Sequence, residues 1–307
     1  MKPFKSSPPP EFAEPTQLPS CPEQASTWQE ANRTWWEKNP MRYDWREGIP
    51  APEFSTEFYK QIDLRFFSAA REYMPWKRIP FDPLIPFGSL ADKTVLEIGG
   101  GGGSHAALLA KHAREFTGID ITDYAVKNTS QRLKVLGLPG VVRRMDAEAM
   151  EFDDRSFDFI WSWGVIHHSS DTRQVLSEMA RVLRPGGQAI TMVYHRNLWN
   201  YYIWNGFFQG LVRGDLFRSG SLHATMQRHT DGALARYYTV PEWKTLVSEF
   251  FEVESTLIYG SKSQILPLPG GRVKSMCMKL VPNALSRLIT NRLGMGTFLV
   301  SKLVKPL

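Results

Sequence analysis

A run of five glycines, Gly99–Gly103, follows directly after the apolar segment Val95–Ile98. The next segment, Ser104–Lys111, is rich in alanine and leucine and is typical of a helix. A strand, a glycine turn and a helix in this order allow the backbone to approach a ligand closely. The first amides of the helix can also meet a negatively charged group of that ligand. The sequence therefore predicts a ligand-binding turn at these glycines.

The spacing of the glycines narrows the choice of ligand. A dinucleotide fingerprint needs glycines at its first, third and sixth positions, and here the sixth position is Ser104, His105 or Ala106. A phosphate-binding loop needs Gly-Lys followed by Ser or Thr, and no lysine follows Gly103. The pattern that fits is an acid followed by glycines at every second position, Glu97-x-Gly99-x-Gly101-x-Gly103.

Two acids follow the glycine turn, each near the end of a later apolar segment. Asp120 lies 21 positions after Gly99, the separation at which a second parallel strand offers a carboxylate to a pair of ribose hydroxyls. Aspartate is also common as a helix N-cap, which is the alternative role for Asp120. The third apolar segment, Val141–Glu148, contains Asp146.

Three histidines follow the next two apolar segments and could transfer protons. His167 and His168 come shortly after Ser156–Trp163, and His195 comes directly after Gln188–Tyr194. Histidine suits the removal of a proton at neutral pH, because its ordinary pKa lies near neutrality. The alternative for each is a structural hydrogen-bonding role.

Apolar segments alternate with helical ones along this region, which predicts a parallel sheet. Their order and motifs resemble the class I S-adenosylmethionine-dependent methyltransferases of the type-11 branch, over about residues 91–195. The resemblance implies an α/β, Rossmann-like fold with a seven-stranded, mostly parallel sheet whose last strand is antiparallel. Gly100 and Gly102 depart from the family pattern, which often has small polar residues or cysteine there. The Asn-Pro-Pro-Tyr/Phe signature is absent, which argues against methylation of nucleic-acid bases.

The resemblance also implies the cofactor, S-adenosyl-L-methionine, and the residues around it. In the family pattern Asp146 faces the adenine amino group, and an aromatic residue of an N-terminal cap, here Tyr43, closes on the cofactor. The first histidine of the pair points toward the acceptor and the second packs behind it. The implied cofactor-binding residues are Tyr43, Glu97, Gly99, Gly100, Gly101, Gly103, Asp120, Ile121, Asp146, Ala147, Ser162 and Trp163. The catalytic candidates are His167, His195 and His168.

The remainder of the chain divides into a tail, a cap and insertions in the core. Residues 1–25 are rich in Pro, Ser and Glu, which predicts a disordered tail. Residues 26–90 contain two aromatic-rich helical stretches and form a predicted N-terminal helical cap. The predicted core spans residues 91–307, with lid insertions at 196–236 (the first insertion) and 262–292 (the second insertion). We expect the aromatic-rich first insertion to lie over the acceptor, because it follows the carboxyl end of a parallel strand.

Positive charge is concentrated near the C-terminus. The chain carries a formal net charge of +6, whereas residues 262–307 contain eight Lys or Arg residues and no acid. This asymmetry favours an anionic neighbour, a lipid surface or an acidic substrate, unless it is simply a solvated face. A helical pattern in the same region either packs on the core or lies at a membrane interface. Its members are Leu285, Leu288, Ile289 and Arg292.

These observations favour methyl transfer to an oxygen or nitrogen of a small, largely apolar or lipid-like acceptor. The acceptor is expected to be apolar, aromatic or acidic. Two alternatives are a NAD-dependent oxidoreductase and a non-catalytic protein that binds S-adenosylmethionine or serves in assembly. The insertions lack the regular aromatic and basic groove of single-strand binders, so we expect no nucleic-acid partner.

Location and metal binding are also open to prediction. No apolar signal-peptide core follows Met1, and no apolar run approaches the ~20 residues of a membrane span. We therefore expect a cytoplasmic protein, with peripheral contact to an anionic membrane as the alternative. The two cysteines, Cys21 and Cys277, lie far apart without a Cys-x-x-Cys motif, so we expect no metal site.

Overall fold

An eight-stranded sheet forms the centre of the part of the chain that the computed structural model describes, residues 9, 11–44, 47–266 and 271–307. The strands are β1 (Thr94–Ile98), β2 (Glu115–Asp120), β3 (Val141–Arg144), β4 (Phe157–Trp163), β5 (Leu183–His195), β6 (Tyr237–Tyr238), β7 (Glu252–Tyr259) and β8 (Phe298–Val304). The main path runs β3-β2-β1-β4-β5-β8-β7, and the short β6 pairs with β5. β1 to β6 pair in parallel, whereas β8 is antiparallel to both β5 and β7. The expected seven-stranded Rossmann-like sheet with an antiparallel last strand is confirmed, and the short β6 is added beside the end of β5.

Helices cover both faces of the sheet, which explains why β1 has apolar residues on both of its faces. Every residue of β1 is buried. Leu96 and Ile98 belong to one core cluster and Val95 to the cluster on the opposite face. The core helices are α3 (Ser104–His112), α4 (Asp123–Leu136), α5 (Thr172–Val182) and α8 (Val240–Val247). α8 begins with a capping box between Thr239 and Glu242, as that pair of residues predicts.

Two cap helices, α1 (Pro22–Lys38) and α2 (Thr56–Tyr73), lie over the carboxyl ends of the central strands. α2 buries Phe58, Ile62 and Phe66 toward the core, because these residues recur at helical spacing. The buried Arg132 of α4 ties α2 to the glycine turn. Its guanidinium pairs with Asp63 of α2 and donates to the Gly102 carbonyl at 2.9 Å.

The predicted disorder of residues 1–25 stays a prediction, and the structure places some residues of this segment against the rest of the chain. Phe12 is buried and packs edge-on against Trp28 of α1 and His223. The Gln17 carbonyl accepts a hydrogen bond from the buried guanidinium of Arg236 at 2.7 Å. One aromatic side chain and one backbone carbonyl of this segment therefore contact the rest of the chain. Residues 1–8 and 10 lie outside the described residues.

The two insertions add helices beside the sheet. The first contains a π-helix (Leu198–Val212), α6 (Asp215–Ser219) and α7 (Leu222–Gln227). The second contains α9 (Arg272–Leu280), α10 (Asn283–Arg287) and a π-helical turn (Leu288–Arg292). Across the described residues, no helix combines the length and the apolar character that crossing a membrane requires.

Candidate functional site

A cavity of about 370 Å³ lies between the cap and the carboxyl ends of the central strands. Ile98 of β1, Asp120 of β2 and Trp163 of β4 line it from below. Asn32 of α1 and Phe66 of α2 line it from above. This is where an open parallel sheet binds ligands, at the point where the strand order reverses from β1 to β4.

The glycine turn forms one wall of the cavity, where Gly99 and Gly101 are exposed to it. Gly99 and Gly101 have φ values of +83° and +50°, in the left-handed region that favours glycine. A Cβ on Gly99 would stand 2.2 Å from a methyl carbon of Val165, so a side chain there would displace the loop after β4. The turn therefore needs glycine both for its backbone conformation and for its close packing.

Asp120 lies on the cavity wall and is not the cap of α4. Its Oδ1 accepts hydrogen bonds from the Thr122 amide at 2.9 Å and the Thr122 hydroxyl at 2.7 Å. Its Oδ2 accepts a long contact of 3.4 Å from the Gly101 amide. Thr122 itself caps α4, accepting from the Ala125 amide. Burial raises the pKa of Asp120, and the hydrogen bonds from Thr122 and Gly101 oppose that rise.

Asp146 meets the cap helix α1 at the other end of the wall. Its Oδ1 accepts from the Gln29 side chain at 2.7 Å and from the Glu148 amide at 2.9 Å. The side-chain oxygen of Gln29, Oε1, in turn accepts a hydrogen bond from the Ser170 backbone amide at 3.0 Å, two residues after the histidine pair. Gln29 therefore bridges the loop that carries Asp146 and the segment from His167 to Ser170, here the histidine loop. No pattern in the sequence indicates this role.

Asn32, one turn further along α1, also lines the cavity and is a second residue that the sequence does not mark. Only 5% of its surface is exposed, and its Oδ1 has no hydrogen-bond partner among the described residues. A buried polar atom without a partner is costly, so a ligand that donates a hydrogen bond here would relieve the cost.

Most of the expected cofactor-binding residues line the cavity: Tyr43, Gly99, Gly101, Asp120, Ile121, Asp146, Ala147 and Trp163. Four others do not: Glu97, Gly100, Gly103 and Ser162. Glu97 is buried, and its Oε2 has no hydrogen-bond partner among the described residues. Burial, together with the nearby charge of Asp120, raises the pKa of Glu97 well above its ordinary value.

The histidine pair is arranged in the order opposite to the expected one. His168 lines the cavity, whereas His167 does not and is fully buried, its ring 4.1 Å from that of Tyr194. His195 also stays off the cavity wall, and its Nδ1 bonds the Gly296 carbonyl at 2.9 Å. Burial lowers the pKa of all three histidines, most strongly that of His167.

His168 is held with one ring nitrogen available. Its Nδ1 lies 2.5 Å from the Leu234 carbonyl, which can only accept, so Nδ1 carries the proton. Its Nε2 has no hydrogen-bond partner among the described residues. Because burial lowers the pKa of His168, the ring is neutral and Nε2 holds a free lone pair.

Tyr194 and Asp231 complete a polar cluster with His168 on the cavity wall. The Tyr194 hydroxyl donates to Asp231 Oδ1 at 2.6 Å. The negative charge of Asp231 raises the pKa of both Tyr194 and His168, against the lowering effect of burial on the histidine. Asp231 belongs to the first insertion, so that insertion does reach the cavity, through a carboxylate.

The aromatic side chains that were expected to make that contact lie elsewhere. The structure describes all seven of these residues and places none on the cavity wall: Trp199, Tyr201, Tyr202, Trp204, Phe207, Phe208 and Phe217. Tyr201 packs against Tyr237 and His223, whereas Phe217 is 82% exposed.

Comparison with known proteins agrees with this geometry. A family model described as a methyltransferase domain matches residues 96–191, from within β1 into β5. Residues 96–191 belong to the class I S-adenosylmethionine-dependent methyltransferases. The match covers the glycine turn, Asp120, Asp146 and the histidine pair of this methyltransferase domain. It argues against the alternative of a NAD-dependent oxidoreductase.

Two relatives and one solved structure resemble the methyltransferase domain. The phthiotriol/phenolphthiotriol dimycocerosates methyltransferase of Mycobacterium tuberculosis is 39% identical over 100 residues, which are 32% of this chain and 36% of that one. The ubiquinone biosynthesis O-methyltransferase of Nitrosomonas europaea is 27% identical over 50% of this chain and 68% of its own. The geranyl diphosphate C-methyltransferase of Streptomyces coelicolor A3(2) is 14% identical, has a TM-score of 0.55, and shares the fold across 94% of this chain and 100% of its own.

The cofactor of this methyltransferase domain is S-adenosylmethionine, and the cavity fits it. Asp120 Oδ2 and the unpartnered Asn32 Oδ1 are acceptors on the cavity wall that suit hydroxyl and amino groups such as those of the cofactor. Apolar side chains on the same wall, from Ile121 and Ala147, suit the faces of its adenine ring. Neither Asn32 nor Gln29 lies in the matched segment, so the cap of this chain supplies part of the site.

Proposed function

We propose that this chain transfers a methyl group from S-adenosylmethionine to an oxygen or nitrogen of a small, largely apolar, lipid-like acceptor. The observation that carries the proposal is the joint composition of one cavity. Its wall contains the glycine turn with Asp120 and Asp146, and also a polar cluster around His168. Cofactor-binding and proton-accepting groups therefore share one enclosed space.

The apolar character of the acceptor is supported by the rest of the wall. Large apolar and aromatic side chains surround the polar cluster, namely Trp36, Phe66, Tyr73, Trp163, Met192 and Phe298. Such a lining binds an apolar ligand by removing its surface from water. The names of the two relatives, one for a mycobacterial lipid and one for ubiquinone biosynthesis, support the same acceptor class.

The chemistry requires positioning and the removal of one proton. The bound cofactor supplies an already activated methyl group on its sulfonium. Tyr43 and Trp36 of the cap, which line the cavity, exclude water from this space. In the proposed mechanism, Nε2 of His168, which is buried and has a free lone pair, takes the proton once the hydroxyl or amine of the acceptor reaches it.

The surroundings of His168 suit this proton transfer. The Leu234 carbonyl fixes the tautomer in which Nε2 is the basic nitrogen. When Nε2 takes the proton, the charge of Asp231 stabilises the imidazolium that forms and partly offsets the lowering of the His168 pKa by burial. The Tyr194 hydroxyl holds the Asp231 carboxylate in place at 2.6 Å. His168 is thus the proposed base, while His167 supports its ring from behind.

Calorimetry and methyl-transfer assays test the proposal in two steps. Titration with S-adenosylmethionine, its demethylated product and NAD should show binding of the first two alone. Transfer from methyl-labelled cofactor to dodecyl catechol and to dodecylamine should then be measured for the wild type, His168→Gln and the control His195→Gln. We expect His168→Gln to lower the transfer rate by about 10²–10⁴-fold without weakening cofactor binding.

The results of these assays distinguish the proposed enzyme from a non-catalytic binding protein and from an enzyme without a base. Cofactor binding without transfer to either amphiphile would favour a non-catalytic binding protein. Equal rates for His168→Gln and the wild type would remove the proposed base and leave a mechanism of positioning alone. Failure to bind S-adenosylmethionine would contradict the proposal as a whole.

A further inference from the structure

The π-helix Leu198–Val212 buries its polar side and exposes its apolar side. Its buried residues are Tyr201, Asn205, Gly206, Gln209 and Gly210. Its exposed large apolar residues are Leu198, Tyr202, Phe207, Phe208, Leu211 and Val212, and Phe217 follows them. A surface helix of a protein fully surrounded by water normally shows the reverse arrangement.

The second insertion repeats this inversion. Ser286 and Thr290 are buried, at 2% and 1% exposure, whereas Leu285, Leu288 and Leu293 are 45%, 45% and 66% exposed. Met276 and Leu280 of α9 are 63% and 79% exposed. The periodic leucines of the sequence therefore face outward here and do not pack on the core.

A hydrogen bond connects the two insertions beside the cavity, from the Trp199 indole to the Gln264 carbonyl at 3.0 Å. Within the second insertion, the Lys262 ammonium donates to Asn283 at 3.2 Å. Arg287 donates to the Glu72 carbonyl at 3.2 Å, and Asn291 to the Tyr73 carbonyl at 2.8 Å. Glu72, Tyr73 and Ser261 line the cavity, so the exposed apolar segments adjoin its rim.

Basic side chains accompany these apolar residues. Arg213, directly after the π-helix, and Arg218 of α6 are exposed, as are Lys279 and Arg292 in the second insertion. The only acid between residues 205 and 230 is Asp215, and residues 262–307 contain none. The surface formed by the exposed apolar and basic residues of 198–218 and 276–293, here the outer face, is therefore both apolar and cationic.

We infer that the outer face adsorbs to an anionic lipid bilayer. Exposed apolar side chains are typical of interaction sites when they are contiguous. Inserting them between headgroups removes them from water, and the basic residues add attraction to anionic lipids. A second copy of this chain fits less well, because two like-charged faces would meet. Entry of the acceptor into the cavity from the lipid rests on the proposed function, whereas adsorption itself does not.

Vesicle sedimentation tests the inference with the full chain. Phosphatidylcholine vesicles with phosphatidylglycerol should retain the protein at low salt, and vesicles of phosphatidylcholine alone should retain less. High salt should weaken the retention, because it screens the basic residues. Phe217→Ser and Leu280→Ser should each lower the partition coefficient by about tenfold, since each removes a largely inserted apolar side chain.

Matched controls separate adsorption from folding and from catalysis. Leu64→Ser, at an exposed leucine on α2, should leave vesicle binding unchanged. Lys279→Glu should weaken binding to the anionic vesicles more than to the neutral ones. Calorimetry with S-adenosylmethionine should give the wild-type affinity for all of these variants.

Two results would overturn the inference. One is a protein that stays in the supernatant with anionic vesicles at low salt while it still binds S-adenosylmethionine, which would leave the proposed function intact. The other is sedimentation equilibrium without lipid that shows a dimer abolished by Phe217→Ser, which would assign the outer face to a second copy. Loss of cofactor binding in the wild type would instead contradict the proposed function and leave adsorption to be judged by the vesicles.

Discussion

Replacing Asp120 by asparagine changes the charge at the end of β2 while it keeps the size of the side chain. Oδ1 already accepts two hydrogen bonds from Thr122, at 2.9 and 2.7 Å, so its lone pairs are in use. Oδ2 receives the long 3.4 Å contact from Gly101 and is the oxygen with room for a ligand hydroxyl. The proposed function therefore assigns at least one charge-assisted hydrogen bond from the cofactor to Oδ2.

The expected loss follows from that single bond. A hydrogen bond to a charged group contributes about 1.5–3 kcal/mol. In the affinity for S-adenosylmethionine this corresponds to a loss of about tenfold to about 150-fold. The folded state should not suffer equally, because burial raises the pKa of Asp120 and a neutral amide avoids the cost of burying the charge. The amide oxygen can still accept from Thr122.

Titration calorimetry and thermal unfolding measure the two effects separately. Asp123→Asn is the matched control, because Asp123 lies three residues further on, is 66% exposed and pairs only loosely with Arg144 at 3.5 Å. The control should bind the cofactor like the wild type. An Asp120→Asn protein that is folded and whose affinity stays within about twofold of the wild type would refute the assignment and reduce Asp120 to a support for the β2 turn.

Three further predictions concern the groups around the site. Burial raises the pKa of Glu97 above that of an unfolded glutamate, which is about 4.3. The contribution of Glu97 to the free energy of unfolding is therefore fully present below that pH and is lost as the pH rises from there through the raised pKa. In urea unfolding measured against pH, Glu97→Gln should flatten this decline. Gly232→Ala would place a Cβ 2.5 Å from His168 Nδ1, so it should impair methyl transfer in the amphiphile assay while cofactor affinity stays near the wild-type value. Arg132→Met should lower the free energy of unfolding by about 1–3 kcal/mol, measured by urea titration, because it breaks the buried contacts to Asp63 and the glycine turn.

Each of these predictions has an outcome that would contradict it. A Glu97→Gln protein with the same pH profile as the wild type would mean that the carboxyl ionises freely. Gly220→Ala is the control for Gly232→Ala, since Gly220 has a similar φ of +79° and open space around it. Equal loss of transfer in both would indicate backbone strain alone. An Arg132→Met protein with the wild-type free energy of unfolding would show that the contacts of Arg132 with Asp63 and Gly102 do not stabilise the fold.

The parts of the site that the sequence predicts are those encoded locally. The glycine turn, Asp120 and Asp146 lie at strand ends of a parallel sheet, and parallel strands bring such ends to one edge regardless of the loops between them. The order of the histidine pair was not predictable in the same way. His167 and His168 lie in a 3₁₀ turn, where each residue points about 120° away from the last, so a shift of one position exchanges their roles.

Residues contributed by the cap and the insertions depend on tertiary packing. Gln29 and Asn32 are ordinary polar residues on one face of α1, and only the docking of α1 on the sheet brings them to the cavity. Asp231 also reaches the cavity only through tertiary packing, since it belongs to the first insertion, where the sequence pattern favours the aromatic residues as contacts. Phe12 shows a further limit, because the average composition of residues 1–25 does not indicate that this one ring is buried.

The bridge made by Gln29 couples the two halves of the cavity. One end of its amide group contacts Asp146, and the other holds the backbone at Ser170 of the histidine loop. α1 therefore cannot move without altering both ends together. If cofactor binding fixes α1 against Asp146, the contact of Gln29 with Ser170 also fixes the histidine loop before the acceptor binds. Thermodynamic reciprocity then requires the acceptor to tighten cofactor binding by the same factor. Under the proposed function, α1 thus couples binding of the cofactor to binding of the acceptor.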